Sequence, residues 1–186
     1  MKIALHTFLW RRITLFAFAC ALLLLTVVAS AHQLGGQFPY RSGTWLYISY
    51  TQSGAYASQV SAAASSWHNT PTRLIVYRTY NYSTSKADFY TVYRSDSWWG
   101  LTVHHPCSGW GCIYRWADLY LNSRTLNVES SLIRQKVAAH EFGHGIGLAH
   151  APTWAFYRSI MKQGRLSYNL PQSHDINDTN ELYPYW

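Results

Sequence analysis

The sequence feature that most constrains the fold is the segment His-Glu-Phe-Gly-His-Gly-Ile-Gly-Leu-Ala-His at residues 140–150. Residues four positions apart lie on one face of an α-helix, so His140 and His144 would present their imidazoles side by side, with Glu141 next to them. Glycine tolerates the positive φ that turns a chain out of a helix, so Gly147 could direct His150 back towards the other histidines. The segment predicts a helix that ends at Gly147 and brings three imidazoles and a carboxylate together.

This group of side chains has the composition of a catalytic zinc site. Such sites use three protein ligands and leave one position for water or substrate, so we expect His140, His144 and His150 to bind one Zn²⁺. Zinc would lower the pKa of its bound water, and Glu141 would be the general base that takes the proton. The first two histidines alone would also fit a solvated helix face. Glu141, Gly147 and His150 at their fixed offsets favour the metal site.

The segment and the residues that follow it resemble the metzincins, zinc peptidases whose signature HExxHxxGxxH is followed by a methionine-containing turn. Met161 ends the matching Ser-Ile-Met tripeptide, and by this resemblance it would form an apolar floor beneath the zinc ligands. Residues 170–176 and 181–183 are similar to the tail of the matrixin family. Asp175 matches the second acid of that family's pattern, whereas His174 replaces the first.

The resemblance implies both a fold and an activity. The fold is α+β: a single catalytic domain with a mixed, mostly parallel twisted sheet, an antiparallel edge strand, an active-site helix and a C-terminal helix. The activity is that of a secreted zinc endopeptidase acting on extended protein substrates, which would pair with the edge strand at Leu101, Thr102, Val103 and His104. Gln163 stands where two other metzincin families carry an extra tyrosine ligand, so a site of three histidines is expected.

Two departures from the matrixin pattern concern latency and additional metals. No cysteine lies between the predicted signal peptide and Trp45, so we expect no cysteine switch. The chain has only eight acidic residues and no clear upstream ligand cluster, which leaves Ca²⁺ possible but unsupported. His104 and His105 could belong to a structural metal site. Without a His-x-Asp partner, they fit a position along the edge strand or its loop better.

Residues 1–31 predict a secretory signal peptide, and residues 32–186 the metzincin-like domain. A basic start precedes an apolar run over 13–28, and Ala-Ser-Ala at 29–31 is a typical cleavage site. An uncleaved membrane anchor is the alternative, but the apolar run is short for a membrane span. We therefore expect a secreted, extracellular protein with no stable membrane association after cleavage.

The cysteines divide between the signal and the domain. Cys20 would leave with the signal, whereas Cys107 and Cys112 remain as a pair in Cys-Ser-Gly-Trp-Gly-Cys. An even pair in an exported chain, with glycines that permit a small closed loop, favours a local disulfide. A structural zinc site is the weaker alternative because no second cysteine pair could complete it.

Charge and composition limit the kinds of partner that the chain could bind. The formal net charge of +7 includes the basic residues of the predicted signal, and no concentrated basic run predicts nucleic-acid binding. We expect a monomer whose partners are protein or peptide substrates. Two alternatives stay open. One is hydrolysis of the peptide cross-links of a cell wall, which mild basic charge and abundant tryptophans would suit. The other is a non-catalytic secreted zinc-binding module, which would leave Glu141 without a role.

Hydrophobic periodicity and turn residues predict the order of elements. The chain begins with a strand and a helix, continues with several strands, and ends with the motif helix and a final helix. The predicted strands cover residues 45–50, 73–80, 87–93, 101–104 and 117–121. The predicted helices cover residues 56–68, the segment from a cap at Asn127 or Ser130 to Gly147, and the segment from a cap at Ser173 to about 182.

Overall fold

The computed structural model describes residues 32–39, 44–105 and 111–184 of the chain. The predicted signal peptide and Cys107 lie outside these residues, so the signal and the disulfide to Cys112 stay predictions. Cys112 itself lies partly buried on a short strand. Within the described residues, no helix combines the length and the apolar character that a membrane span requires.

The domain is built on a mixed sheet of five strands with helices packed against it. The helices are α1 (Ala57–His68), α2 (Ser123–Leu126), α3 (Ser131–Gly145) and α4 (Ser173–Leu182). The strands are β1 (Gly36–Gln37), β2 (Thr44–Gln52), β3 (Leu74–Arg78), β4 (Ala87–Val92), β5 (Gly100–His105), β6 (Cys112–Ile113) and β7 (Trp116–Asn122). Every predicted strand and helix is present, with bounds that differ by at most two residues.

The strand order in the sheet is β3-β2-β4-β7-β5. All neighbouring strands are parallel except β5, which runs antiparallel to β7 at one edge. The predicted class, an α+β domain with a mostly parallel sheet, an antiparallel edge strand, a motif helix and a C-terminal helix, is confirmed.

One face of the sheet carries the core. On β7, Ala117, Leu119 and Leu121 are buried and alternate with partly exposed residues, as expected for a strand with one face against helices. Helix α1 covers β2 and β3, whereas α3 covers β5 and β7, and the two helices contact each other. Trp67 of α1 is fully buried, and its Nε1 donates to the carbonyl of Ala139 on α3 at 2.9 Å. This packing fixes the motif helix against the edge of the sheet.

The ends of the motif helix follow from its sequence. Ser130 caps α3, because its side chain accepts from the backbone N–H of Ile133 at 3.3 Å. The helix ends at Gly145, two residues before the predicted end. Gly147 has a φ of 106° and the chain reverses there, so the predicted role of this glycine in ending the helix is confirmed.

Gly147 provides a first test of the fold. A Cβ on this residue would collide with the carbonyl oxygen of Gly36 and approach Leu182. We expect the strained backbone alone to make Gly147→Ala lower the free energy of unfolding by about 1–3 kcal/mol. The collision of the new Cβ with Gly36 should add to this loss. Urea denaturation would measure it. Gly164→Ala is the matched control, because Gly164 also has a positive φ, of 84°, but a Cβ added there would meet no other atom within 4 Å. Equal losses in both variants would contradict the collision.

The predicted cap of the last helix is wrong by one residue. Helix α4 begins at Ser173 as predicted, but its N-cap is Gln172, which forms a capping box with Asp175. The backbone N–H of Gln172 donates to Oδ2 of Asp175 at 2.7 Å. Ser173 therefore occupies the first helical position.

The sequence did not predict the small parallel sheet of β1 and β6. Each strand has two residues, too few to show an alternating pattern. The segment before β1 also pairs with the chain after the motif helix, because the N–H of Leu34 donates to the carbonyl of Gly147 at 2.8 Å and that of Ala149 to the carbonyl of His32 at 2.6 Å. These contacts join residues 32–34 to the loop that leads to His150.

Candidate metal centre

The structure brings the three motif histidines together. His140 and His144 lie one turn apart on α3, with ring centroids 4.7 Å apart, and His150 follows in the loop after Gly147. The Nε2 atoms of His144 and His150 are 3.0 Å apart. One ligand atom from each histidine lies within 4.8 Å of the others, so the three could hold a metal ion.

Backbone carbonyls orient two of these imidazoles. Nδ1 of His140 lies 2.8 Å from the carbonyl oxygen of Ile160, and Nδ1 of His144 lies 2.8 Å from that of Leu148. Because a carbonyl oxygen only accepts, each Nδ1 carries the hydrogen, and each Nε2 presents its lone pair. This is the arrangement that histidine ligands of metals adopt, so the donor set fits zinc.

Burial keeps the imidazoles neutral. It lowers the pKa of His140 well below its ordinary value and that of His144 to about 4, and it also lowers the pKa of His150. The Lys136 ammonium acts in the same direction on all three. A neutral imidazole is the form that binds a metal ion, so the site needs no deprotonation at pH 7.

Glu141 is buried beside the histidines. Its side chain is only 4% exposed, and Oγ1 of Thr102 on β5 donates to its Oε2 at 2.8 Å. Burial raises the pKa of Glu141 to about 7, against the opposing effects of Thr102 and Lys136. A Cβ on Gly100 would collide with the Glu141 carboxylate. The edge strand thus approaches the motif helix closely enough to fix the position of this carboxylate.

Met161 lies in a turn that packs against the motif helix next to Gly143. It is buried, and a Cβ on Gly143, which lies between His140 and His144, would collide with its Sδ. The turn that carries it is bonded to α4, since Asp175 accepts from the side chain of Ser159 and from the N–H of Ile160 at 2.8 Å. The carbonyl of Ile160 in turn accepts from His140, so α4 and the first histidine are connected through this turn.

Successive side chains of the edge strand β5 lie on opposite faces of the sheet. Thr102 and His104 point towards α3, where Nε2 of His104 lies 2.9 Å from the carbonyl oxygen of His144. Leu101 and Val103 are exposed. His105 pairs with Asp118 on β7 at 2.9 Å, and neither His104 nor His105 belongs to a metal-binding cluster among the described residues.

A cleft of about 630 Å³ runs along this edge of the domain. Glu141 and all three motif histidines line it, so the candidate metal centre is open to a ligand of substrate size. The rest of its wall comes from β5 and the residues just before it, from α3, from the turn after Met161 and from the segment before β1. It includes Trp98, Trp99, Thr102, Lys136, Gln163 and Gly164.

Comparisons with known proteins give a likeness of fold. No family model matches the chain, and no curated protein matches it. High choriolytic enzyme 1, a hatching-enzyme zinc protease from the medaka fish Oryzias latipes, is 16% identical, with a TM-score of 0.46 over 79% of this chain and 94% of the other. Myroilysin is 13% identical, with a TM-score of 0.48 over 79% of this chain and 96% of the other. At these values, the function has to be inferred from the site itself.

Lys136 is a charged residue of the cleft that the sequence did not single out. It lies one turn before His140 on α3 and is only 2% exposed. Its Nζ donates to the carbonyl of Lys162 at 2.8 Å, and burial lowers its pKa to about 8. A lysine at a helix position followed by Val137 and two alanines was the available signal, because buried lysines are rare unless they have a role.

The buried histidines predict that acid destabilises the metal-free protein. Their pKa is lower when folded, so below pH 6.5 the unfolded state binds protons that the folded state does not, and stability falls between about pH 6.5 and 4. His144 alone contributes up to about 3 kcal/mol. Glu141 acts oppositely, since its raised pKa costs stability as pH rises from 4.5 to about 7, but at least two histidines outweigh one carboxyl.

Urea denaturation with a chelator present, at pH 7 and pH 5, would measure this effect. We expect a lower midpoint at pH 5, with a smaller difference in His144→Gln. A midpoint that rises at pH 5 would contradict the burial of neutral histidines.

Proposed function

We propose that this chain is a secreted zinc-dependent endopeptidase that cleaves extended protein segments. The observation that carries the proposal is the convergence of three neutral histidines beside a buried glutamate in an open cleft bordered by an edge strand. His140, His144 and His150 would bind one Zn²⁺, and Glu141 would be the general base. The contacts of Asp175 with the turn of Met161 support the matrixin-like arrangement.

Each group at the proposed metal site would have a separate role in peptide-bond hydrolysis. When bound, zinc supplies a Lewis acid that activates water and polarises the scissile carbonyl. Glu141 would accept the proton from the attacking water and return it to the leaving amine. Thr102 would keep the carboxylate directed at the reacting atoms through its hydrogen bond to Oε2. A raised pKa suits this role, because a general base works best when its pKa lies near the operating pH.

The substrate would bind as an additional strand. β5 is at the edge of the sheet and lines the cleft, so the backbone of Leu101, Thr102, Val103 and His104 is a template for β-augmentation. Thr102 and His104 direct their side chains to α3, which leaves the backbone edge to the substrate. This mode selects segments that can extend, so unfolded proteins and loops are the expected substrates.

The test is metal-dependent cleavage of casein by the exported protein. We expect activity that a chelator abolishes and that stoichiometric Zn²⁺ restores. Determination of the N-terminal residue of the exported protein tests the removal of residues 1–31 at the same time. Cleavage that survives complete removal of metal would contradict the zinc mechanism.

A cell-wall substrate is the second candidate, because Trp98 and Trp99 line the cleft beside β5 and could contact sugars. Purified wall assayed beside casein separates the two, and release of peptides from wall alone would replace the general peptidase. A non-catalytic zinc-binding module is disfavoured, since it gives no role to the buried Glu141.

Lys136 predicts a preference for acidic residues close to the scissile bond. Lys136 lines the same cleft as Glu141. Its ammonium has one described hydrogen bond, to the carbonyl of Lys162, which leaves donors for a substrate carboxylate. We expect Lys136→Met to lower kcat/KM for peptides with Asp or Glu at that position by about tenfold relative to their neutral analogues. Paired Glu and Gln peptides would measure the ratio, and an unchanged ratio would remove Lys136 from specificity.

A further inference from the structure

A second group of metal-ligating side chains lies away from the cleft, where the segment before β1 meets α4. It consists of His32, His174 and Asp178, of which the last two are one turn apart on α4. Nδ1 of His32 and Nε2 of His174 are 3.1 Å apart. Oδ2 of Asp178 is 3.6 Å from the first nitrogen and 3.4 Å from the second.

These three separations match those of ligands around one ion. In a tetrahedral zinc site with ligands about 2.0–2.1 Å from the metal, neighbouring ligand atoms are about 3.3–3.4 Å apart. The observed values lie on both sides of that figure. The motif histidines, whose Nε2 atoms approach to 3.0 Å between His144 and His150, meet it no more closely.

The surroundings of the group are those of a built site. The Asp178 side chain is only 4% exposed, and those of His174 and His32 are 15% and 26% exposed. The backbone N–H of His32 donates to Oδ2 of Asp178 at 3.3 Å, and the ring of Tyr157 lies 3.8 Å from that of His174. A carboxylate and an imidazole that are already oriented lose little freedom when they bind an ion.

We propose that His32, His174 and Asp178 form a second site for a transition-metal dication, and we take Zn²⁺ as the ion to test. Two imidazole nitrogens and one carboxylate oxygen suit zinc and its first-row neighbours, whereas Ca²⁺ and Mg²⁺ prefer oxygen ligands alone. The fourth position is left to water. The site requires neither the motif histidines nor the proposed proteolysis.

The ion would connect two distant parts of the chain. His32 precedes β1, and α4 is the last helix of the domain, so a shared ligand set fastens the start of the described chain to its end. The adjoining residues already pair with the loop that carries His150, through the bond from Ala149 to the carbonyl of His32. The second site would therefore stabilise the segment that borders the first. We infer a structural role, because none of the three ligands is among the described residues that line the cleft.

Zinc content of the exported protein tests the proposal. After dialysis against trace Zn²⁺, we expect about two zinc ions per chain in the wild type, and one in each of His174→Gln, Asp178→Asn and His144→Gln. The double variant His144→Gln/His174→Gln should bind none. Glutamine at 174 can still donate a hydrogen bond to Asp178, so loss of zinc in that variant reports ligation rather than hydrogen bonding. His68→Gln, on an exposed histidine of α1, is the control that keeps both ions.

Thermal unfolding separates loss of zinc from loss of the fold. Added Zn²⁺ should raise the Tm of His144→Gln through the second site alone and leave the Tm of the double variant unchanged. Unaltered zinc content in His174→Gln and Asp178→Asn would overturn the proposal, as would export of a chain that lacks His32. If instead His144→Gln keeps the wild-type content while His174→Gln loses an ion, the second site stands and the proposed catalytic zinc fails.

Discussion

Glu141→Gln is expected to lower the rate of casein cleavage by about 10²–10⁴-fold, the usual contribution of a general base. The substitution preserves the shape of the side chain, and the amide oxygen can still accept from Thr102. It removes the negative charge that would take the proton from water. Steady-state kinetics would measure the loss, and most of it should appear in kcat.

The control for this variant is its zinc content. Glu141 is not among the clustered metal-ligating side chains, so the variant should bind as much Zn²⁺ as the wild type. Activity within a few-fold of the wild type would show that another group supplies the base. Loss of zinc together with activity would assign Glu141 to the metal instead of the proton.

His144→Ala should abolish both zinc binding at the motif and cleavage. His144 supplies one of three expected ligands, and even partners of a ligand change affinity by about 10–100-fold, so removal of the ligand itself should exceed about 100-fold. Competition with a coloured zinc chelator would measure the affinity.

His68→Ala is the matched control for removal of a histidine. His68 is exposed, and its Nδ1 lies 3.0 Å from the carbonyl oxygen of Val76, far along the chain from the motif. We expect wild-type zinc affinity and activity in this variant. An active His144→Ala enzyme with unchanged zinc affinity would remove the motif from metal binding.

Local signals were sufficient for the regular elements. Val60, Ala63, Ala64 and Trp67 occur at helical spacing, and all four are buried on α1. The strand predicted over residues 117–121 is present within β7. The motif helix could be placed together with its reversal at Gly147, and Ser130, one of the two predicted caps, is the one observed. Capping and positive φ depend on the residues at those positions.

The features that were missed depend on contacts between distant residues. Two-residue strands such as β1 carry no periodicity, so only their pairing identifies them. Gln172 was overlooked as a cap because serine is the commoner choice, and its partner Asp175 also serves the turn of Met161. The contact of His32 with His174 joins residues more than 140 positions apart, and His174 and Asp178, one turn apart on α4, are too few by themselves to indicate a ligand set. Lys136 faces the cleft only because α3 packs on β5.

Asp175 gives the last helix influence over the metal centre. This fully buried carboxylate accepts hydrogen bonds from the Ser159 hydroxyl and from the backbone N–H of Ile160. The carbonyl of Ile160 in turn accepts from Nδ1 of His140, a proposed zinc ligand. The packing of α4 against this turn and the binding of an ion by His140 are therefore expected to be coupled. Such a coupling is reciprocal, so each equilibrium should shift the other by the same free energy. If His140 binds an ion as proposed, a change that destabilises the C-terminal helix should lower its affinity for that ion, and the bound ion should stabilise the helix against unfolding.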